Sequence, residues 1–329
     1  MPSPAQKGDI PNFAARAREA LSTYSRRRLL ASAAHAAAGV ALGLAGARSL
    51  FAQAPARQAA ELGGDFHLLK AGAVNVLAVE TGDGLAFVDG GPAVESAKLL
   101  AAANALGGGG KIHTLFNTHW HPEQTGANEA LGAAGATIVA HENTRLWLTE
   151  DVTWPWSNET VRRLPAAARP NKSFYSELEL AIGRKRVRCG HLRDCPHTDG
   201  DQYVFFRDDN VLAVGDAIYG VGWPAIDWWT GGWIGGIVGG LEMLLKVANE
   251  DTHVVPARGP VLGLKDLRRQ HEMYETIWER LVKKLYSGGG PDEAVAAKPT
   301  QEFDDIMGPS EEFVRRAFQS LWAYLSPDA

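Results

Sequence analysis

From residue 66 the chain alternates short apolar runs with turn residues. The runs at 66–70, 74–80 and 85–89 are rich in Val, Leu and Ala and are separated by Gly-containing turns, so they predict antiparallel strands. Helical spacing follows at 93–105, and a glycine run at 107–110 divides that segment from a strand at 112–116. A helix at 128–134 and strands at 137–140, 186–192, 202–206 and 211–214 continue the pattern. Strands dominate both halves and each half adds a few helices, which predicts two sheets packed face to face with helices outside. The last quarter changes period. Leu267, His271, Tyr274, Trp278, Leu281 and Leu285 recur three or four residues apart, giving one amphipathic helix that stops at the glycines 288–290. A second helix, 310–325, places Phe313, Ala317, Leu321 and Tyr324 on one face. Both helices read as covers for a sheet face. The pattern does not place the stretch 144–190.

The N-terminus differs in kind. Arg26-Arg27-Arg28 precedes an Ala/Gly/Leu stretch at 31–47 that lacks acids and is only mildly apolar, which resembles a twin-arginine export signal. Small residues at 52–56 offer two cleavage sites, Ala52-Gln53-Ala54 and Ala54-Pro55-Ala56. The alternative, an uncleaved anchor, requires this short Ala-rich stretch to span about 30 Å of hydrocarbon. The expected organisation is a signal segment at 1–54, a linker at 55–63 and one domain at 64–329 that includes the helical tail. The product would be periplasmic or secreted, with the twin-arginine machinery as a partner and no stable membrane association after cleavage.

The composition, 45% apolar and 22% charged over 329 residues, is that of a globular chain with a sizeable core. Residues 1–54 carry seven Lys/Arg against two Asp/Glu; removing that +5 from the formal −5 of the chain leaves the mature part near −10. No basic stripe remains to follow phosphates, which argues against a nucleic-acid partner. An oxidising compartment raises the question of a disulfide between Cys189 and Cys195. If 187–194 is a strand, their Cα atoms stand roughly 20 Å apart, beyond bonding range.

The chemistry concentrates in four segments. His119 and His121, two apart after a strand, can present both imidazoles to one metal ion. His197, in Cys195-Pro196-His197-Thr198-Asp199-Gly200-Asp201, supplies the third imidazole that a three-histidine zinc site needs. Gly215-Asp216 ends a strand with a carboxylate, and Pro256-Ala257-Arg258-Gly259 ends another. His113, His141, His191 and His253 lie in or beside strands and read as packed or hydrogen-bonded. No Gly-rich phosphate loop or serine nucleophile elbow occurs.

In order and spacing these segments, with Val88-Asp89-Gly90-Gly91, resemble the metallo-β-lactamase superfamily over about residues 64–290. The resemblance implies an αββα sandwich with the metal site at one edge of the two sheets. It makes His119, His121, His197 and Asp216 the metal ligands, and Asp89 a carboxylate that anchors backbone near the metal loop. Three departures fall on one side of the site. The family's His-x-His-x-Asp-His is here His119-Trp120-His121-Pro122-Glu123-Gln124, and its Pro-Gly-His-Gly is Pro256-Ala257-Arg258-Gly259. Glu123, Gln124 and Arg258 thus stand where a second metal would be bound. A glutamate's extra methylene moves its carboxylate by about 1.5 Å, against a ligand tolerance of about 0.2 Å; Gln is a poor zinc ligand and Arg is none. One zinc per chain is expected, with Arg258 and Gln124 replacing the second ion among the carboxylates of Glu123 and Asp216.

The expected activity is zinc-dependent hydrolysis of a small ester, lactone or amide-like substrate, with Glu123 or Asp216 accepting the proton. The alternative is a metal- or ligand-binding protein that kept the scaffold and lost turnover. Di-iron redox chemistry, known on this fold, is disfavoured because the first motif lacks its carboxylate ligands. Trp223, Trp228 and Trp229 follow the Asp216 strand. They read either as core packing or as an apolar wall for the substrate, faced by Trp147, Trp154 and Trp156.

Overall fold

The computed structural model describes residues 62–106 and 110–325. The expected signal segment and most of the linker lie outside them. By contacts, the described residues up to Ser320 form one compact unit. Both sheets belong to it.

The strands and helices run β1 (Phe66–Ala71), β2 (Val74–Glu80), β3 (Leu85–Val88), α1 (Ser96–Asn104), β4 (Ile112–Phe116), α2 (Pro122–Thr125), α3 (Asn128–Ala133), β5 (Thr137–His141) and α4 (Glu142–Trp147). They continue with β6 (Val152–Thr153), β7 (Thr160–Val161), β8 (Lys172–Phe174), β9 (Glu177–Ile182), β10 (Lys185–His191), β11 (Gln202–Phe206) and β12 (Val211–Gly215). The last of them are α5 (Ile234–Val247), β13 (His253–Pro256), α6 (Leu264–Tyr286), α7 (Pro291–Ala296), α8 (Asp304–Met307) and α9 (Glu311–Leu325). One sheet has the order β1-β2-β3-β4-β5-β8 and the other β13-β12-β11-β10-β9; β6 and β7 form a separate hairpin. In the first sheet β3, β4, β5 and β8 are parallel, whereas in the second only the β12–β13 pair is.

Alternation along the strands builds the layers. Leu77 and Val79 of β2, Val88, Phe116 and Val139 meet Val187, Cys189, Val204, Phe206, Val211 and Val255 of the other sheet in one buried cluster. The intervening residues Val76, Ala78, Phe87, Leu115 and Ile138 point the opposite way and are covered by Leu99, Ala103 and Leu131 of α1 and α3. Each Val, Leu, Ile or Phe among them contributes about 1.5–3 kcal/mol on burial. On the second sheet Leu212, Val214 and Val254 are likewise buried on the face away from that cluster. The layers are those of the expected αββα sandwich.

Two stretches depart from the sequence reading. The first is α5, which hydrophobic spacing did not mark because Ile234-Gly235-Gly236-Ile237-Val238-Gly239-Gly240 lowers helix propensity, by about 1 kcal/mol per glycine. The glycines serve close packing: a Cβ at Gly236 would lie 2.2 Å from the Asp194 carbonyl, and one at Gly239 2.7 Å from the Asp194 side chain. The second is the strand expected to reach Asp194, which ends at His191. The chain then turns through Cys195 at φ 58°, and both cysteines are buried thiols.

Candidate metal centre

Three loops deliver the site, each fixed by a carboxylate that accepts backbone N–H groups. At the end of β3, Asp89 adopts φ 64°. Its carboxylate accepts from the N–H of Thr118 at 2.8 Å and from the Thr118 hydroxyl, which sets the chain just before His119. This is the anchoring role expected of Asp89. In the second loop Asp201 accepts from the N–H groups of His197 (2.7 Å) and Thr198 (2.9 Å) and from the Thr198 hydroxyl. The third carboxylate, Asp227, was not assigned a role from sequence. Its Oδ1 accepts from the Thr230 N–H, and its Oδ2 from His121 Nε2–H at 2.8 Å and Trp154 Nε1–H at 3.1 Å. Asp227 lay inside the Trp-rich run, where nothing local distinguishes it from a turn residue.

The three histidines converge. Their ring centroids are 4.5–4.7 Å apart with planes nearly perpendicular, and one nitrogen from each lies within 4.8 Å of the others. All three are buried. The outward nitrogens have partners that fix the tautomers. His121 donates through Nε2 to Asp227, so its Nδ1 faces the centre. His197 donates through Nδ1 to the Ala225 carbonyl at 2.8 Å, so its Nε2 does. His119 Nδ1 lies 3.3 Å from the Thr118 hydroxyl oxygen, whose proton goes to Asp89, so the oxygen accepts; the inward His119 Nε2 is buried without a partner.

The inward atoms fit a metal ion. Nitrogens about 2.0–2.1 Å from a tetrahedral ion stand about 3.3 Å from one another, and here the separations run from 2.9 Å, between His121 Nδ1 and His197 Nε2, to within 4.8 Å. Two lone pairs facing at 2.9 Å need a cation, either a shared proton or a metal. Burial pushes His119 well down from the ordinary imidazole value, and its two histidine neighbours add to this. His197 is also lowered, by burial first and then by His121. Burial opposes protonation of His121 as well, but the hydrogen bond and charge of Asp227 prevail and raise it.

Asp216 stands at the fourth corner. Its Oδ2 is 3.7 Å from His119 Nε2 and 3.9 Å from His197 Nε2, and it accepts from Gln124 Nε2 at 3.0 Å. Burial pushes its carboxyl up to about 6; Arg258, His121 and the Gln124 hydrogen bond oppose the rise and the neighbouring Glu123 adds to it. Arg258 lies between the two carboxylates, with Nε 3.8 Å from Asp216 Oδ1 and Nη2 3.6 Å from Glu123 Oε1. Among the described residues its one hydrogen bond to a side chain runs from Nε to the Tyr219 hydroxyl at 3.2 Å. Tyr219 was not singled out from sequence. The expected gathering of Glu123, Gln124, Asp216 and Arg258 is therefore present.

The tryptophans divide. Trp223 stacks on Phe313 at 4.6 Å and donates to the Gly308 carbonyl, so it packs against the C-terminal helices, as the core reading allowed and the wall reading did not. Two rings lie beside His121, buried Trp120 at 4.6 Å and Trp154 at 5.4 Å, and Trp154 is in contact with Trp120 and with Trp156. Trp228 joins this row through Trp156 at 5.7 Å, and Trp229 follows at 6.1 Å, half exposed.

An αββα sandwich with a buried three-histidine cluster at the ends of its strands defines a class of metal-binding folds. The chain belongs to the metallo-beta-lactamase superfamily, whose family model matches residues 69–286. Among solved structures it is similar to a metallo-beta-lactamase from Pontibacter korlensis, with a TM-score of 0.51 and 17% identity over 64% of this chain and 99% of that one. It is also similar to the stereoselective inverting sec-alkylsulfatase Pisa1 from Pseudomonas sp., with a TM-score of 0.60 and 12% identity over 78% of this chain and 48% of that one. At these identities the likeness is one of fold. No curated protein matches the sequence.

Proposed function

We propose that the protein is a single-zinc hydrolase of a small ester, lactone or amide-like substrate, exported to the periplasm by the twin-arginine route. The observation that carries this reading is that each imidazole has a partner at its outward nitrogen while the three inward nitrogens converge, His119 Nε2 without a hydrogen-bond partner and the other two facing each other at 2.9 Å. Pre-organisation of this kind suits a resident ion. A zinc ion there supplies Lewis-acid polarisation of a carbonyl and acidifies a nearby water toward neutrality. His119, His121 and His197 would hold it, with Asp216 beside them. Asp216 Oδ1 is buried without a hydrogen-bond partner, which leaves that oxygen open to accept a proton. Glu123, a third exposed, is the alternative acceptor, placed to pass a proton to solvent. Trp154, Trp156 and Trp228 form the apolar wall. Arg258 and Gln124 occupy the position a second ion would require.

The alternative, a binding protein without turnover, draws on those same two residues, because losing the second ion is one way to lose catalysis. Metal content of the mature protein, purified without chelator from zinc-replete cells, tests the site: one zinc per chain is expected, and His119→Ala, His121→Ala or His197→Ala should each abolish it. Near-zero content in the wild type overturns the metal reading. Near-two content overturns the reading of the second position. Given one zinc, a panel of small esters, lactones and amides then separates hydrolase from binding protein.

A further inference from the structure

Arg258 is more rigidly held than its ion pairs require and less used than its position allows. Its loop is pinned by Asn75 of β2, a buried residue whose N–H donates to the Ala257 carbonyl at 2.7 Å and whose side chain donates to the carbonyls of Pro256 (2.7 Å) and Gly259 (2.9 Å). The Arg258 carbonyl accepts from the Gly220 N–H at 2.7 Å, and the guanidinium lies 5.5 Å from the centre of the Tyr219 ring. Of its five N–H donors, one is spent on the Tyr219 hydroxyl. The carboxylates of Glu123 and Asp216, at 3.6 and 3.8 Å, are beyond hydrogen-bonding range. Nη1 meets no acceptor among the described residues. The side chain is about a quarter exposed, so it opens to solvent beside the metal position while its stem is fixed.

A planar fork of unspent donors beside a reaction centre suits a carboxylate or another planar oxyanion, which it can bind through two parallel hydrogen bonds. We propose that Arg258 is a recognition residue for an anionic group on the substrate, so that the preferred substrate class is an ester or amide bearing a carboxylate near the scissile bond. That the bound anion is a substrate rests on the hydrolase reading; that it binds does not. Asn75 and Tyr219 are the positioning residues of this subsite.

The test uses two probes of equal shape, benzoate and neutral benzamide, titrated calorimetrically into the zinc-loaded protein and into the same protein after chelation. Benzoate should bind about ten-fold more tightly than benzamide, the preference should survive chelation, and Arg258→Gln should remove it. Equal binding of the two probes by the wild type, no binding of benzoate, or a preference that persists in folded Arg258→Gln overturns the proposal. A preference that vanishes on chelation assigns the carboxylate to the metal and also overturns it. Should Arg258→Gln fail to fold, Arg258→Lys takes its place. An ammonium keeps the charge and loses the fork, so the preference should fall in part, and full wild-type preference there refutes the guanidinium assignment.

Hydrolysis is scored separately, with phenyl acetate against the monophenyl ester of succinic acid. A lower KM for the anionic ester than for phenyl acetate, lost in Arg258→Gln, supports the subsite; because Arg258 also lies beside Asp216, kcat should change by the same factor for both esters. Equal KM values with turnover intact sink it and leave the hydrolase standing. An Arg258-dependent preference for benzoate without turnover of any ester does the reverse.

Discussion

Asp227→Asn isolates what the outer partner of a ligand does, because it changes one oxygen to an NH2 group at constant shape. Asp227 is almost fully buried and its Oδ2 accepts from both His121 and Trp154, while Oδ1 accepts from Thr230. Despite burial, the His121 hydrogen bond and charge hold its carboxyl below the usual range. An asparagine keeps one acceptor oxygen, so either His121 and Trp154 or Thr230 must face an NH2 group. If His121 loses its acceptor, the tautomer with Nδ1 free is no longer favoured and the ligand is less basic. Loss of such a partner lowers metal affinity about 10–100-fold, or about 1.4–2.7 kcal/mol. Competition for zinc against a chromophoric chelator at pH 7.5 reads this directly, with far-UV circular dichroism to confirm the fold. The wild type should also release zinc as pH falls, since the raised His121 pKa lets a proton compete for Nδ1. In Asp227→Asn that competition weakens, so the slope of log affinity with pH should flatten while the plateau drops. Wild-type affinity in a folded Asp227→Asn protein would refute the tautomer argument.

The remaining predictions probe the second position, the fold and the export route. The triple change Glu123→Asp, Gln124→His, Arg258→His should raise zinc content from one to two per chain, whereas Arg258→His alone should not; one zinc in a folded triple variant means that something else closes the position. Lys185, buried with its ammonium on Asp65 (2.9 Å) and Asp209 (2.6 Å), should give a loss of about 1–2 kcal/mol in urea melts when changed to Met, discounted for the partial exposure of both carboxylates. Because the Lys185 hydrogen bond lowers the Asp65 pKa from 3.8, that part of the stability is present above pH 3.8 and lost as pH falls through the folded value, so the gap between wild type and Lys185→Met should narrow below about pH 4; a constant gap counts against the pairing. Arg26→Lys with Arg27→Lys should strand the precursor in the cytoplasm, and unchanged periplasmic yield by fractionation would sink the twin-arginine reading.

The sandwich was legible because its strands are short, apolar and punctuated. Segments such as 202–206 and 112–116 coincide with β11 and β4 because alternation and turn residues agree there. Where the two signals part, the reading fails. The four glycines of α5 look like loop composition, and their reason is visible only in three dimensions, as a helix that lies against the Asp194–Cys195 backbone. The stretch 144–190 carries β6, β7 and β8 as brief elements before β9 and most of β10, and a two-residue strand has no period to detect. It nevertheless brings Trp154 to His121, a contact set by a fold-back that no local pattern encodes.

The site was legible through its ligands and not through what orients them. His119, His121 and His197 announce themselves by spacing and residue type, whereas Asp227 and Asp201 act through hydrogen bonds that any loop aspartate could make. The three departures gain meaning only together. Gln124 keeps a donor on Asp216, the carboxylate an ion would have bridged, and Arg258 keeps a positive charge between Asp216 and Glu123. The substitution is incomplete in a telling way. A divalent ion in contact would hold both carboxyls ionised, whereas a single charge at 3.8 Å does not offset burial, which in the absence of a metal leaves Asp216 pushed up to about 6. On the proposed reading, Arg258 supplies a charge but no coordination bond at the second position. It also converts a closed coordination position into a fork with donors to spare. Both features are what the proposed one-metal centre with an anion subsite requires, and both depend on Arg258 keeping its place between Asp216 and Glu123.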